Sequence, residues 1–554
     1  MGVVAAGWLQ AGLLVLALAV SYRPLGDYMA HILTSPKHWR VEKGLYRLMG
    51  VDGDADQTWP TYVRSMLAIS VVGVLVLYLI LRIQDHLMLA LGMPSMQANL
   101  AYNTASSFVT NTNWQNYSGE NTLGYTAQFA GLAVQNFVSA AVGICLAATL
   151  VRGFVRKQTD RIGNFYVDLT RLTLRLLLPF AFVLAIIFVA AGVPQELASS
   201  LHTVTTVTGG QQTIYTGATA SQEVIKELGT NGGGIFNANS AHPFENPNAW
   251  TNWLEIYMLL VISFSLPRTF GKMVGSHKQG YAILSVMAIL WGASVSIITW
   301  MEARGWGNAL AVAKGAMEGK EVRFGIPGST LFTASTTLTS TGAVNNMHDS
   351  LTPFGGGMAL FDIMMGEIAP GGTGSGLYGI LMLAIVTVFV AGLMVGRTPE
   401  YLGKKIRPAE MKYAALYILA TPSVALVFTG IAMATPTARN SIANSGPHGL
   451  TEVLYAFTSM ANNNGSAFAG LNGNTQFWNV AGGVAMLLGR FMPMIFVGAL
   501  AGSLAKQKHT PASVGTLETH KPLFVGLLLG VVLIVVGLTY FPALALGPFA
   551  EGLK

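Results

Sequence analysis

The sequence predicts an all-α polytopic membrane protein of ten transmembrane helices. They form four pseudo-symmetric repeats of span, short helix, loop and span, with one extra span at each end. Three observations predict it. The 554 residues are 52% hydrophobic and only 10% charged, with a mean hydropathy of +0.50, whereas soluble domains carry about 25% charged residues. The apolar residues fall into runs of about 20, enough to cross a bilayer at about 1.5 Å rise per residue. Tracts of Gly, Asn, Ser and Thr recur between runs at matching positions. A large soluble enzyme is thereby excluded. The single cysteine, Cys145, excludes an internal disulfide and any Cys-based metal site. Flanked by Ile144 and Leu146, it reads as a packing residue.

In order, the spans are expected near 3–20, 64–82, 126–150, 172–192, 251–270, 280–300, 357–396, 413–434, 476–505 and 522–545. The first is not read as a signal peptide, because its basic residues follow the apolar run and the cleavage site is weak. The seventh is too long for one plain crossing and carries Gly371-Gly372-Thr373-Gly374-Ser375-Gly376 in its middle, so it is expected to be broken. Of the 32 Lys and Arg, 23 lie in alternate loops (23–64, 151–175, 268–278, 397–412 and 506–521). The other loops hold eight, Lys226 and Lys314 among them, and Arg490 lies within a span. Positive-inside counting then places the basic loops in the cytoplasm and both termini outside. The pI of 9.3 reflects this topology, with no basic stripe of the nucleic-acid-binding kind. Trp8, Trp114, Trp250, Trp253, Trp300 and Trp478 near span ends read as interface anchors.

The outer loops repeat a pattern. Asn99–Val109 precedes Thr110-Asn-Thr-Asn-Trp-Gln115, and Ala220–Leu228 precedes Gly229-Thr-Asn-Gly-Gly-Gly234. Ser329–Leu338 precedes Thr339-Ser-Thr-Gly-Ala-Val-Asn345, and Leu450–Met460 precedes Ala461-Asn-Asn-Asn-Gly-Ser466. The expected units are an N-terminal span over 1–24, repeats over 60–150, 170–272, 278–398 and 412–506, and a C-terminal span over 520–545. Irregular backbone persists at membrane depth only where protein buries it or it lines a watery cavity. Four such loops around an axis supply rings of carbonyl oxygens that replace a cation's hydration shell. Gly232, Gly233, Gly234, Gly342 and Gly465 permit the backbone angles this needs, and each short helix aims its partially negative end at the ion. The pattern therefore points to cation selection.

These residues resemble the family of potassium-binding, channel-like A subunits (KdpA) of the bacterial Kdp potassium-transporting P-type ATPases. The similarity runs nearly end to end. It is most specific at Phe108–Gln115, Leu228–Gly234, Phe236–Ser240, His242–Pro247, Ala461–Gly470 and Gly392–Lys405. The resemblance implies a fold like the potassium-transporter superfamily and filter segments at 110–115, 229–234, 340–345 and 461–466. Candidate ion-binding residues are then Thr110, Asn111, Thr112, Asn113, Gln115, Gly229, Thr230, Asn231, Gly232, Gly233, Gly234, Ser340, Thr341, Gly342, Asn345, Asn462, Asn463, Asn464, Gly465 and Ser466. Some family members carry Ser-Cys-Gly where Ser340-Thr341-Gly342 stands. The four segments differ from one another, so strict fourfold symmetry is not expected.

Read from its residues alone, the glycine-rich stretch is a helix interruption that could be a kink for packing; the resemblance implies instead a gate beneath the filter at Gly371, Gly372, Gly374, Ser375 and Gly376. Arg490 lies mid-span, where a charge costs about 2.5–3.5 kcal/mol and needs a partner or water; Glu367 is its candidate ion-pair partner, in a structural salt bridge or in gating. Potassium is the implied transported ion, with no organic cofactor. The chain carries neither G-x-x-x-x-G-K-[ST] nor an Asp-Lys-Thr-Gly phosphorylation motif. ATP hydrolysis is thus assigned to a partner P-type subunit (KdpB), accompanied by a single-span subunit (KdpC) and in some cases a small peptide (KdpF). The implied location is the bacterial inner membrane.

Other features carry blander readings. Gly374-Ser-Gly-Leu-Tyr-Gly379 matches a dinucleotide motif in letters only, since no strand precedes it. Glu223 and Glu227, flanking Lys226, are read either as cation attractors at the outer vestibule or as a solvated helix face. His202, His242, His348 and His448 show no metal-ligand spacing. An intramembrane enzyme lacks the clustered acid and base residues it would need. A self-sufficient potassium channel or symporter of the same fold is the alternative function.

Overall fold

The computed structural model describes every residue except 1–2, 198–201, 305–315, 395, 397–398, 512–515 and 554. Lys314 and Arg397, counted above in the loop charges, lie outside the described residues. Ten helices among the described residues are long and apolar enough to cross a membrane. They are Ala6–Thr34, Trp59–Arg82, Ala127–Val155, Phe165–Ala190, Ala249–Met273, His277–Arg304, Ser375–Met394, Pro408–Ala434, Gln476–Ala505 and Pro522–Gly552.

Local chemistry sets many of their starts. Pro60, Pro408 and Pro522 occupy first-turn positions, where a missing N–H costs nothing. Asn164 caps the fourth span by accepting from the Tyr166 and Val167 amides, and Asn248 caps the fifth through Trp250 and Thr251. The third and fifth spans are the central ones, with 83% and 78% of their most apolar windows buried. The first, eighth and tenth bury only 22–28% and present apolar faces outward. Such exposed apolar surface suits contact with lipid or a partner chain.

The seventh span is broken as its glycine-rich middle predicts. A half-helix Pro353–Met364, capped by Thr352, ends before the interruption, and the span resumes at Ser375. Between spans lie four short helices, Ala98–Val109, Thr219–Leu228, Gly325–Leu338 and Gly446–Asn462. The chain is not purely helical. Three two-stranded antiparallel pieces occur among the described residues: Gln57–Thr58 with Arg161–Gly163, His202–Thr205 with Gln211–Ile214, and Glu400–Tyr401 with Lys404–Lys405.

Ion pairs brace the face that carries the basic loops. Arg152 bonds both Asp168 oxygens, at 2.5 and 2.8 Å, and Tyr62 donates to the same carboxylate at 2.9 Å. Arg175 grips Glu42 at 2.5 and 2.6 Å. Burial opposes charge on Glu42, but the Arg175 bonds outweigh it and hold the carboxyl below its ordinary range. Of the tryptophans expected at the interface, Trp8, Trp250 and Trp300 are exposed, whereas Trp114 and Trp478 are buried and cannot serve as anchors. Trp478 packs under Phe457, and the Trp114 indole N–H donates to Asn116 at 2.6 Å. Cys145 is fully buried.

Candidate functional site

The four short helices end in the same way. The amide of Thr112 donates to the Ser107 carbonyl at 2.9 Å, and Asn231 donates to Lys226 at 2.8 Å. Thr341 donates to Thr336 at 3.2 Å, and Asn464 donates to Ser459 at 2.9 Å. Each bond spans five residues, closing a Schellman-type turn. In each, the residue before the donor has a left-handed backbone: Asn111 at φ 66°, Thr230 at 49°, Ser340 at 60° and Asn463 at 59°. That conformation costs a non-glycine residue about 1–2 kcal/mol, so surrounding contacts must hold it.

This shared turn fixes the register between repeats. Aligned on it, the segment 110–115 matches 229–234, 339–344 and 462–467, so the third and fourth begin one residue earlier and one residue later than expected from sequence. Asn345 falls outside the aligned set; its amide donates to Asn252 Oδ1 at 2.7 Å, bracing the loop from behind. Positive φ recurs two residues on, at Asn113, Gly232 and Gly465, but Gly342 is not left-handed. The third segment therefore differs in backbone as well as in sequence.

The segments meet one another. Gly342 N–H donates to the Asn231 carbonyl at 3.3 Å. A Cβ on Gly342 would lie 2.8 Å from the Gly465 carbonyl carbon, and one on Gly465 would overlap the Thr112 oxygen. Side chains stitch neighbours together. Asn111 donates to Thr230 O at 2.9 Å, Ser340 to Asn463 O at 3.1 Å, and Asn463 to Thr112 Oγ1 at 3.0 Å. Asn113 is buried with neither side-chain polar atom bonded among the described residues.

Above the segments lies a vestibule of about 710 Å³ lined by Asn113, Gln115, Gly233, Gly342 and Gly465, among others. Gln115 Oε1 accepts from Gly234 N–H at 2.9 Å and its amide donates to Tyr117 at 3.1 Å, so it ties the first segment to the second. Below them sits the interruption of the seventh span. Gly371 N–H donates to Leu338 O at 2.9 Å, at the end of the third short helix. Thr373 N–H donates to Thr230 Oγ1 at 2.8 Å, at the second. A Cβ on Gly372 would come 2.8 Å from Ser340 Cβ, and one on Gly374 would overlap the Gly143 backbone.

Arg490 and Glu367 line one cavity of about 80 Å³ under the fourth segment, together with Asn462 and Asn463. They do not form the direct ion pair proposed from sequence. Arg490 donates to the Ser139 carbonyl at 3.1 Å, and Glu367 accepts from Asn464 at 2.8 Å. Each bonds the wall nearest it, and no ion pair closes between them.

The profile of the potassium-transporting ATPase A subunit, KdpA, matches residues 12–553. The chain belongs to the KdpA family. Proteins named potassium-transporting ATPase potassium-binding subunit are similar over essentially their whole length. That of Streptomyces avermitilis is 59% identical over 553 residues, covering 100% of both chains. That of Clavibacter michiganensis subsp. michiganensis is 61% identical, and that of Mycobacterium avium 60%, each covering 99% of both chains. The crystal structure of the potassium transporter TrkH from Vibrio parahaemolyticus superposes with a TM-score of 0.55 over 86% of this chain and 97% of that one. At 15% identity this is a likeness of fold.

Within this KdpA fold several positioning residues escaped sequence reasoning. Ser139 donates to Asn111 Oδ1 at 2.7 Å and offers its carbonyl to Arg490. Asn239 donates to the Gly233 carbonyl and accepts from Val344 N–H at 3.2 Å. Asn239 lies in the singled-out Phe236–Ser240 stretch, where its role was signalled only as part of a motif. Glu223 and Glu227 are neither solvated nor at the vestibule; both are buried, with Lys226 between them. His448 is not isolated: its ring bonds Asp349 at 2.8 Å and Glu551 at 2.9 Å, with Glu452 nearby.

Proposed function

We propose that the four aligned segments are the selectivity filter through which this subunit takes up potassium. Members of the family are non-hydrolytic subunits of a potassium-transporting ATPase, so potassium is the transported ion and ATP is hydrolysed on a partner. The chain is a multi-pass membrane protein. The observation that carries the filter reading is the recurrence of one turn, with one left-handed residue, in four segments that touch. In three of the four, a second left-handed residue two positions on sets successive carbonyls toward one side, the arrangement that replaces a cation's water.

In this reading potassium enters from the vestibule and sheds water among Thr110–Gln115, Gly229–Gly234, Thr339–Val344 and Asn462–Ala467. The short-helix ends add their partial negative charge there. Gln115 and Asn113 guard the entrance. The 371–376 interruption blocks the exit below, and Arg490 raises the barrier to any cation that leaks past it. Energy for passage comes from the P-type partner (KdpB), held with a single-span subunit (KdpC) and in some complexes a small peptide (KdpF). The complex sits in the bacterial inner membrane with both termini of this chain outside.

The test is rubidium flux into proteoliposomes. The chain alone is expected to pass little without ATP, and the assembled complex to transport once ATP is added. Fast potassium-selective flux through the chain alone would show an autonomous channel and sink the subunit reading.

A further inference from the structure

Beside the second short helix lies a cage of carboxylates that the filter reading does not use. Lys226, fully buried, bonds Glu245 and, at 2.6 Å, Glu223. Glu245 also accepts from Phe236 N–H at 2.9 Å, so that pair is satisfied. Three other buried carboxylates then face one another. One oxygen each from Glu223, Glu227 and Glu255 lies within 4.8 Å of the others.

Glu255 decides how this is read. It comes from a different element, the fifth span, is 0% exposed, and neither of its oxygens has a hydrogen-bond partner among the described residues. Glu227 Oε2 is likewise unpartnered. The Ser240 hydroxyl lies 2.9 Å from Glu223 and 3.2 Å from Glu227, steering both into the cage. A buried carboxylate without a donor or cation is among the costliest arrangements in a protein, and Glu255 is one. Lys226 is the one ammonium shared by Glu223 and Glu245, which leaves Glu227 and Glu255 uncompensated and calls for further positive charge.

The donor set specifies which. It is all oxygen and all carboxylate, the preference of a hard cation and not of zinc or copper. Calcium holds oxygens at about 2.3–2.6 Å, so ligands on opposite sides lie up to about 5 Å apart; the cage has that width. Its three formal charges match a divalent ion better than a monovalent one. We infer that Glu223, Glu227 and Glu255 form a buried site for a hard divalent cation, calcium or magnesium. Its occupant would fix the end of the short helix, where the Lys226 carbonyl accepts from the Asn231 and Gly232 amides at 2.8 and 3.1 Å.

The experiment measures metal content and thermal stability of the full chain, purified with its ATPase partner and dialysed against calcium alone or magnesium alone. One ion per chain is expected with the preferred metal, with a fall in Tm on chelation and recovery on re-addition. Glu255→Gln, which keeps the shape and removes the charge, is expected to lose the ion. Wild-type protein that holds neither metal, and whose Tm ignores both, overturns the site and leaves protons as the occupants. An ion retained by Glu255→Gln overturns it too, by placing the metal elsewhere. If that variant does not assemble, the wild-type chelation and re-addition series alone decides. None of these readouts depends on transport, so they fail independently of the filter reading.

Discussion

Gly465 and Gln115 make the sharpest demands on single side chains. Gly465 has φ 97° and no room for a Cβ against the Thr112 carbonyl. Gly465→Ala is therefore expected to displace the fourth segment and raise the potassium concentration for half-maximal ATPase activity of the complex by at least about tenfold, the equivalent of about 1.4 kcal/mol. An unchanged potassium dependence would remove Gly465 from the filter. Gln115→Leu leaves the Gly234 amide without its acceptor, a loss of about 1–3 kcal/mol. A comparable weakening of potassium affinity is expected, read by calorimetry on the complex. At this scale the sequence spoke unevenly. The glycines and asparagines announced themselves by repetition, but their register did not, because it depends on which amide closes each turn. Ser139 was silent and Asn239 was marked only by its motif, because a bond to a residue distant in the chain leaves no local pattern.

Helices and their interruptions were the most legible level, since span length and apolar content are summed over about 20 residues and tolerate local irregularity. The break in the seventh span followed from its glycines. The failed Arg490–Glu367 pair shows the limit: sequence offers a mid-span charge and a candidate partner, but side-chain reach and nearer partners choose the bonds. On the filter reading, Arg490 still sets a positive charge beneath the four segments. Within about 8 Å of an ion path, and at an effective dielectric near 20, such a charge is worth about 2 kcal/mol. Arg490→Gln is thus expected to raise passive rubidium leak through the ATP-free complex by about tenfold or more. Leak at the wild-type level would confine the residue to a structural role.

Over the whole molecule, His448 joins the fourth short helix to Asp349 before the broken span and to Glu551 near the last helical turn. Bonds to Asp349 and Glu551 raise its pKa to about 10, against partial burial. The sign follows from the raised value: the clamp's contribution to stability is fully present below the unfolded pKa near 6.5 and is lost as pH rises through about 10. The Tm advantage of wild type over His448→Gln is expected to shrink between about pH 7 and pH 10.5. A constant advantage across that range would mean the ring is held neutral. Family membership was readable from motifs spread along the chain, whereas this clamp was not, since His448 and Glu551 meet only through the fold.

The contact of Gly374 with Gly143 carries a consequence for change in this protein. Backbone lies on backbone there, with no side chain on either residue to yield. The two positions therefore behave as one unit of inheritance: neither can enlarge first, and no replacement at one makes room for growth at the other. Redesign of this contact must reshape the third span and the interruption together, or leave both alone.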